Sequence, residues 1–176
     1  MPKKNELIEV ESTLVDVQAR KLLDRVCDYL TEKDWNFSRF EDKDCLNFNL
    51  RLRDGTVRVF VDTWEGAGWS SILVYSTFAT YVPVQRRQVV AEAIARINYV
   101  NIFGNLEMDM NDGEVRVRTT LEGDAFIGDE MIDRAIRKSL DLADQYQAAL
   151  LSIAFGNAAP QDVLEMGARD EGATVQ

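Results

Sequence analysis

The chain predicts an α+β fold: a largely antiparallel sheet with helices packed on one face, in the order α-β-β-β(-β)-α-β-β-α. Three observations carry this reading. Apolar and polar residues alternate on both sides of Asp54-Gly55 and of Asp112-Gly113, the pattern of two β-hairpins. Other stretches repeat apolar residues at steps of three and four, the pattern of amphipathic helices. Strands joined by tight turns run antiparallel, and helices apolar along one stripe need a sheet face to bury it against.

Residues 1–12 form a charged lead-in, and residues 13–156 are expected to make one α+β domain. Thr13 or Asp16 can cap a first helix, with Ala19, Leu22, Leu23, Val26 and Leu30 on its apolar face and Lys33-Asp34 at its end. Trp35, Phe37 and Phe40 suggest a short strand before the polar turn at residues 41–44. Leu46, Phe48, Leu50 and Leu52 alternate with Asn47, Asn49, Arg51 and Arg53, and Val57, Val59, Val61 and Thr63 return. A two-residue turn at Asp54-Gly55 would pair Leu52 with Val57, Leu50 with Val59 and Phe48 with Val61. The opposite face then carries Asn47, Asn49, Arg51, Arg58, Phe60, Asp62 and Trp64. A loop at residues 66–68 leads into a long strand over residues 69–81, with Ile72, Val74 and Phe78 on one side.

Pro83 suits the first turn of a second helix. Val89, Val90, Ala93, Ile94, Ile97 and Val100 form its core stripe, opposed by Arg86, Arg87, Glu92 and Arg96, and it ends near Asn101. Leu106, Met108 and Met110 then alternate with Glu107 and Asp109. A type I′ turn at Asp112-Gly113 would set Met110 against Val115, Met108 against Val117, Asp109 against Arg116 and Glu107 against Arg118. Gly123 and Gly128 bracket a loop ending at Asp129, a candidate N-cap. Ile132, Ile136, Ser139, Ala143, Tyr146, Leu150 and Ile153 define a long last helix that Gly156 stops. Residues 157–176 show no sustained periodicity and read as a mobile tail.

Composition narrows the function. A net charge of −10 argues against a nucleic-acid partner, whose phosphates need lysine and arginine. No apolar run reaches the length of a membrane span, and the charged start is not a signal segment. Cys27 and Cys45 lack metal or redox spacing, which fits reduced thiols in a cytoplasmic protein. The absence of histidine removes histidine-dependent nucleophilic catalysis, histidine-bearing zinc sites and the commonest general base. No phosphate-binding glycine motif follows a strand. The run from Asp109 to Glu114 imitates a calcium loop, but its glycine falls one position early and Thr120 stands where the bidentate acid belongs. No catalytic residue, cofactor site or metal site is therefore assigned.

Ile97-Asn98-Tyr99-Val100-Asn101, Gly104-Asn105-Leu106-Glu107-Met108-Asp109 and Asp112-Gly113-Glu114-Val115-Arg116 resemble the YbjN family, bacterial proteins described as sensory transduction regulators. The element order over residues 14–155 is also similar to that of class I type III secretion chaperones. The resemblance implies a small acidic domain that forms a homodimer and binds a protein client or regulator without catalysis. No client-binding residue is carried over, because no fixed motif bears that role.

Two function classes follow. In the first, the chain is a non-enzymatic, chaperone-like or regulatory module that meets its partner through Phe60, Trp64 and Trp69, large aromatics among polar neighbours. Trp64 and Trp69 flank the glycine-rich loop, where covering a sheet edge is the competing account. In the second, the chain carries a lipid or metabolite in a pocket between the sheet and the last helix.

Overall fold

The computed structural model describes residues 22–123 and 127–168. Helix α1 spans residues 22–32, followed by strands β1 (Ser38–Arg39), β2 (Cys45–Arg51), β3 (Thr56–Gly66) and β4 (Trp69–Phe78). A 3-10 turn (Val84–Arg86) leads into α2 (Arg87–Val100), then β5 (Asn105–Met108), β6 (Val115–Gly123) and α3 (Asp129–Phe155). A second 3-10 turn (Pro160–Asp162) and α4 (Val163–Ala168) complete the described chain. The strands form one antiparallel sheet in the order β1-β2-β3-β4-β6-β5. The fold is α+β, as the alternation and the hairpins imply. Proposed starts of the first helix at Thr13 or Asp16, and the lead-in, lie outside the described residues.

One sheet face makes the core. Leu46 and Phe48, then Val57, Val59 and Val61, then Ile72, Val74 and Phe78, then Val115 and Val117, are all buried on it, and Leu106 joins them from the edge. Against that face lie Leu22, Leu23, Val26 and Leu30 of α1, Val90, Ala93, Ile94 and Ile97 of α2, and Ile132, Ile136, Ala143 and Ile153 of α3. Each large apolar side chain so buried contributes about 1.5–3 kcal/mol against exposure. Ser76 faces the same core, and its hydroxyl meets that of Ser139 at 2.8 Å, so a polar pair crosses the sheet–helix interface without an orphaned group.

Both hairpins have a register two residues from the one counted on the sequence. In β2–β3, Leu50 faces Val57, Phe48 faces Val59 and Leu46 faces Val61. The turn spans residues 52–55, closed by the Leu52 amide on the Gly55 carbonyl at 2.8 Å, and it is docked on α3. The Arg53 amide donates to Asp144 Oδ1 at 2.9 Å, and Gly55 lies so close to Gln147 that a Cβ there would meet the amide at 2.5 Å.

In β5–β6, Leu106 faces Val117, Met108 faces Val115 and Glu107 faces Arg116, in place of Met108 with Val117 and Asp109 with Arg116. Residues 109–114 form the loop, in which Asp109 Oδ1 accepts from the Asn111 amide at 2.7 Å and Asp112 Oδ1 from the Glu114 amide at 2.8 Å. Met110, expected on the core face, is half exposed there. A slip of two preserves the side-chain parity, so the core face is the predicted one in both hairpins.

The loop 109–114 is fixed from outside. Arg87 donates to the carbonyls of Val82 at 3.2 Å, Met110 at 3.0 Å, Asn111 at 2.8 Å and Asp112 at 2.7 Å. The Val82 amide reaches the Gly113 carbonyl at 2.8 Å. Gly113 has φ +88°, and a Cβ at this position would stand 2.2 Å from the Val82 carbonyl oxygen. Asn98 completes the corner. Its side-chain amide exchanges two hydrogen bonds of 2.9 Å with the backbone of Leu106, acting as a one-residue strand partner for the sheet edge. Asn101 donates to the carbonyls of Phe103 and Gly104 at 2.6 and 2.7 Å.

Further expectations are corrected. The first short strand is Ser38–Arg39, with Trp35 and Phe37 beside it against the core. Arg86 and Arg87 are not a solvated face: Arg86 Nε caps the end of α3 at the Ile153 carbonyl at 3.1 Å, and Arg87 holds the loop. Val100, placed in the core stripe, is half exposed. The N-cap of α3 is Gly128, and Asp129 is the first helical residue. Residues 157–168 are packed, not a loose tail: Val163 is fully buried, Leu164 and Met166 lie against the core, and Gly167 abuts the Tyr146 ring. Residues 169–176 lie outside the described residues.

Truncation after Ala159 should therefore remove about 2–4 kcal/mol of stability, lowering the melting temperature by roughly 5–10 °C. A scanning calorimetry midpoint within roughly 2 °C of the full chain would show that α4 adds nothing.

Candidate functional site

The sheet face opposite the core is not covered by a helix among the described residues. Parity places Phe60, Asp62 and Trp64 of β3, Leu73 and Tyr75 of β4, and Arg116 and Arg118 of β6 on it. One row runs straight across four strands: Asn47, Phe60, Tyr75 and Arg118 are successive partners. The face is floored by a shallow groove of ≈ 690 Å³ whose walls include Phe40, Phe60, Trp64, Tyr75 and Arg116.

All three residues singled out on the sequence lie on this face, in different states. Phe60 is half-buried, because Phe40 stacks on it with ring centroids 6.5 Å apart and the Arg58 guanidinium sits 5.0 Å over the ring. Trp64 is 59% exposed and Trp69 45%, so both offer apolar surface to another molecule. Trp69 folds across the strand pair onto Gly66, where a Cβ would collide with its indole nitrogen. It thereby covers the end of the hairpin, as the edge-cover account expects, while its outer side stays exposed.

Tyr75 and Arg116 were not picked out on the sequence. The Arg116 guanidinium lies 4.4 Å over the Tyr75 ring and also pairs with Glu107 at 2.9 Å. The same carboxylate accepts from Arg118 at 3.0 Å, so Glu107 serves both arginines. The alternation that put Phe60 on this face also put Tyr75 there, but its neighbour Leu73 blurred the two sides of β4. Phe40 reaches the groove from the segment after β1, a long-range placement with no periodic signal.

On this face Glu107 is matched against two arginines, and the groove combines aromatic rings with both signs of charge. Cys45 borders it across from Asp62, and burial, reinforced by that carboxylate, pushes its thiol up to about 12. Burial also raises the Cys27 thiol. Neither is a ready nucleophile at neutral pH. Among the described residues no group of three or more His, Cys, Asp or Glu side chains is placed to hold a metal, and no helix is long and apolar enough to cross a membrane. In the native chain at pH 8, Cys45 should react with a chromogenic disulfide reagent roughly 100-fold more slowly than in the urea-unfolded chain. Fast stoichiometric labelling of Cys45 would contradict its burial.

Comparison with known proteins adds a family. The family described as "YbjN: Putative bacterial sensory transduction regulator" matches residues 22–152. None of the curated proteins matches the chain. Among solved structures, the crystal structure of "YbjN, a putative transcription regulator from E. coli" superposes with a TM-score of 0.54 at 15% identity, covering 84% of this chain and 92% of that one. At that identity the likeness shows a shared fold.

Proposed function

Because the chain belongs to the YbjN family, we propose that it is a non-enzymatic regulatory module of the cytoplasm that binds a protein partner on the uncovered sheet face. The observation that carries this reading is the face itself. Across the sheet from a helix-covered core, it leaves Trp64 and Trp69 wet beside a groove containing Phe40, Phe60 and Tyr75. Large aromatics are costly to expose and supply much of the binding energy at protein interfaces. The arginines stacked on Phe60 and Tyr75 add donors that suit a polypeptide's carbonyl and carboxylate groups.

The carrier reading finds less support. Between the sheet and α3 the space is filled: Ser76 meets Ser139 at 2.8 Å, and Val74, Ile136 and Ala143 are buried around them. A small ligand would have to use the open groove, which gives it one wall instead of an enclosure.

The test is quantitative affinity capture with the wild-type chain and with Phe60→Ala combined with Trp64→Ala, checked by circular dichroism. The double substitution should leave the spectrum intact and weaken the captured partner by roughly 2 kcal/mol or more, a loss of about 30-fold. Equal retention by both chains would remove the face from the binding account. Native mass spectrometry showing a stoichiometric small molecule on the wild type would favour the carrier.

A further inference from the structure

The open sheet face is charged unevenly, and the strand register shows how. Asn49, Arg58, Thr77, Arg116 and Glu107 are successive partners across it, and the next row holds Asn47, Phe60, Tyr75 and Arg118. Beyond these come Cys45, Asp62, Leu73 and Thr120, then Trp64, Ser71 and Glu122. Three arginines therefore sit towards one end and the carboxylates of Asp62 and Glu122 towards the other. Of the remaining charged residues that line the groove, Lys43, Asp44 and Glu65 adjoin the Trp64 end, and Glu114 the arginine end.

The arginine end is matched within the chain. Arg116 and Arg118 share Glu107 at 2.9 and 3.0 Å, and Arg58 donates to Asn47 Oδ1 at 3.2 Å. Two of these guanidiniums also cover rings, Arg58 over Phe60 at 5.0 Å and Arg116 over Tyr75 at 4.4 Å. Their spare N–H groups still suit a polypeptide's uncharged carbonyls. The other end lacks such matching. Among the described residues Asp44, Asp62 and Glu122 form no salt bridge, and no cation lies over Trp64, whose side chain is 59% exposed.

We propose that the partner segment bound on this face presents a lysine or arginine, seated on the Trp64 ring beside the Asp62 carboxylate. This deepens the protein-partner reading and rests on it. A cation is attracted by the negative face of an indole, and the attraction grows as water is excluded. Asp62 stands two residues before Trp64 on the same side of β3, about 7 Å along the strand, within reach of a long basic side chain lying on the ring. Phe60 and Tyr75 show the same contact made from within, by Arg58 and Arg116. Trp64 has the ring and the carboxylate without the cation. Trp69 is not equivalent, because its indole is folded onto Gly66.

Charge selects the occupant. At the Trp64 end Lys43 is outnumbered by Asp44, Asp62, Glu65 and Glu122, on a chain of net charge −10. An acidic segment is repelled from that end and a basic one is drawn to it. A second copy of the chain brings the same negative charge and is disfavoured on the same ground.

The test is selection of a displayed library of random peptides on the full chain, followed by fluorescence anisotropy with the tightest peptide made synthetically. That peptide should carry a lysine or arginine whose replacement by glutamine weakens binding roughly tenfold. Trp64→Leu, which keeps apolar bulk and removes the ring, should weaken it to a similar extent, and Trp64→Phe should restore most of the loss. Asp62→Asn should also cost roughly tenfold. Glu130→Gln, at an exposed carboxylate of α3, should change binding by less than about twofold. An equal loss there would reveal general attraction to an acidic chain and overturn the proposal. A peptide that needs Phe60 and Trp64 but tolerates glutamine at every basic position overturns the cation and leaves the face. A peptide indifferent to Phe60→Ala with Trp64→Ala, or a library that yields no binder, removes both. The cation also falls if the chain forms a dimer that this pair of substitutions dissociates, since a second copy then covers the ring.

Discussion

The structure depends on the corner where α2 hands over to the β5–β6 hairpin. One guanidinium, Arg87, holds four carbonyls at 2.7–3.2 Å, three of them in the loop 109–114. That loop closes on itself through the Gly113 amide on the Asp109 carbonyl at 2.8 Å and the Asp109 amide on the Glu114 carbonyl at 2.9 Å, and it has Gly113 at φ +88° with the Val82 backbone against it. Hydrogen bonds from a charged donor are stronger than neutral ones, and three of these four converge on the loop while the fourth ties Arg87 to Val82 beside it. Asn98 and Asn101 bind the other end of the hairpin to the end of α2. Asn98, Asn101 and Gly113, which belong to the stretches that carry the family resemblance, therefore help to build a joint.

That joint sets the sheet's polarity. With the hairpin clamped to α2, β6 lies beside β4 with Val115 and Val117 turned towards α3, and the alternate residues Arg116 and Arg118 turn outward. Among the described residues the helices occupy one side, and the other side is left to aromatic and charged residues. A covered face and an uncovered face are consequences of a single register, and a slip of one residue would exchange them.

Much of this was legible in the sequence, and the omissions have a common cause. Period-two alternation placed Leu46, Phe48, Val57, Val59 and Val61 in the core and Phe60 and Trp64 opposite, because side-chain parity is a local property of a strand. Pairing register was misjudged by two residues in both hairpins, because each turn is held by a distant element: Asp144 and Gln147 on one, Arg87 and Val82 on the other. Arg86 and Arg87 read as solvated for the same reason, since nothing local tells an arginine that caps a remote carbonyl from one in water. Helix α4 was missed because six residues with Val163 as their one deeply buried large side chain carry no periodic signal. In the candidate site, Phe60 and Trp64 follow from parity and Trp69 from its place beside the glycine-rich loop, while Phe40 arrives through tertiary folding alone.

Equilibrium urea unfolding of Gly113→Ala, at one protein concentration, tests the corner most directly. The substitution puts a methyl group against the Val82 carbonyl and a side chain in a left-handed backbone position, while every apolar core contact stays in place. A loss of about 3 kcal/mol with an unchanged denaturant slope is expected, matched in sign by Arg87→Met, which strips the loop carbonyls of their donor. Stability within roughly 0.5 kcal/mol of the wild type for both chains would contradict it.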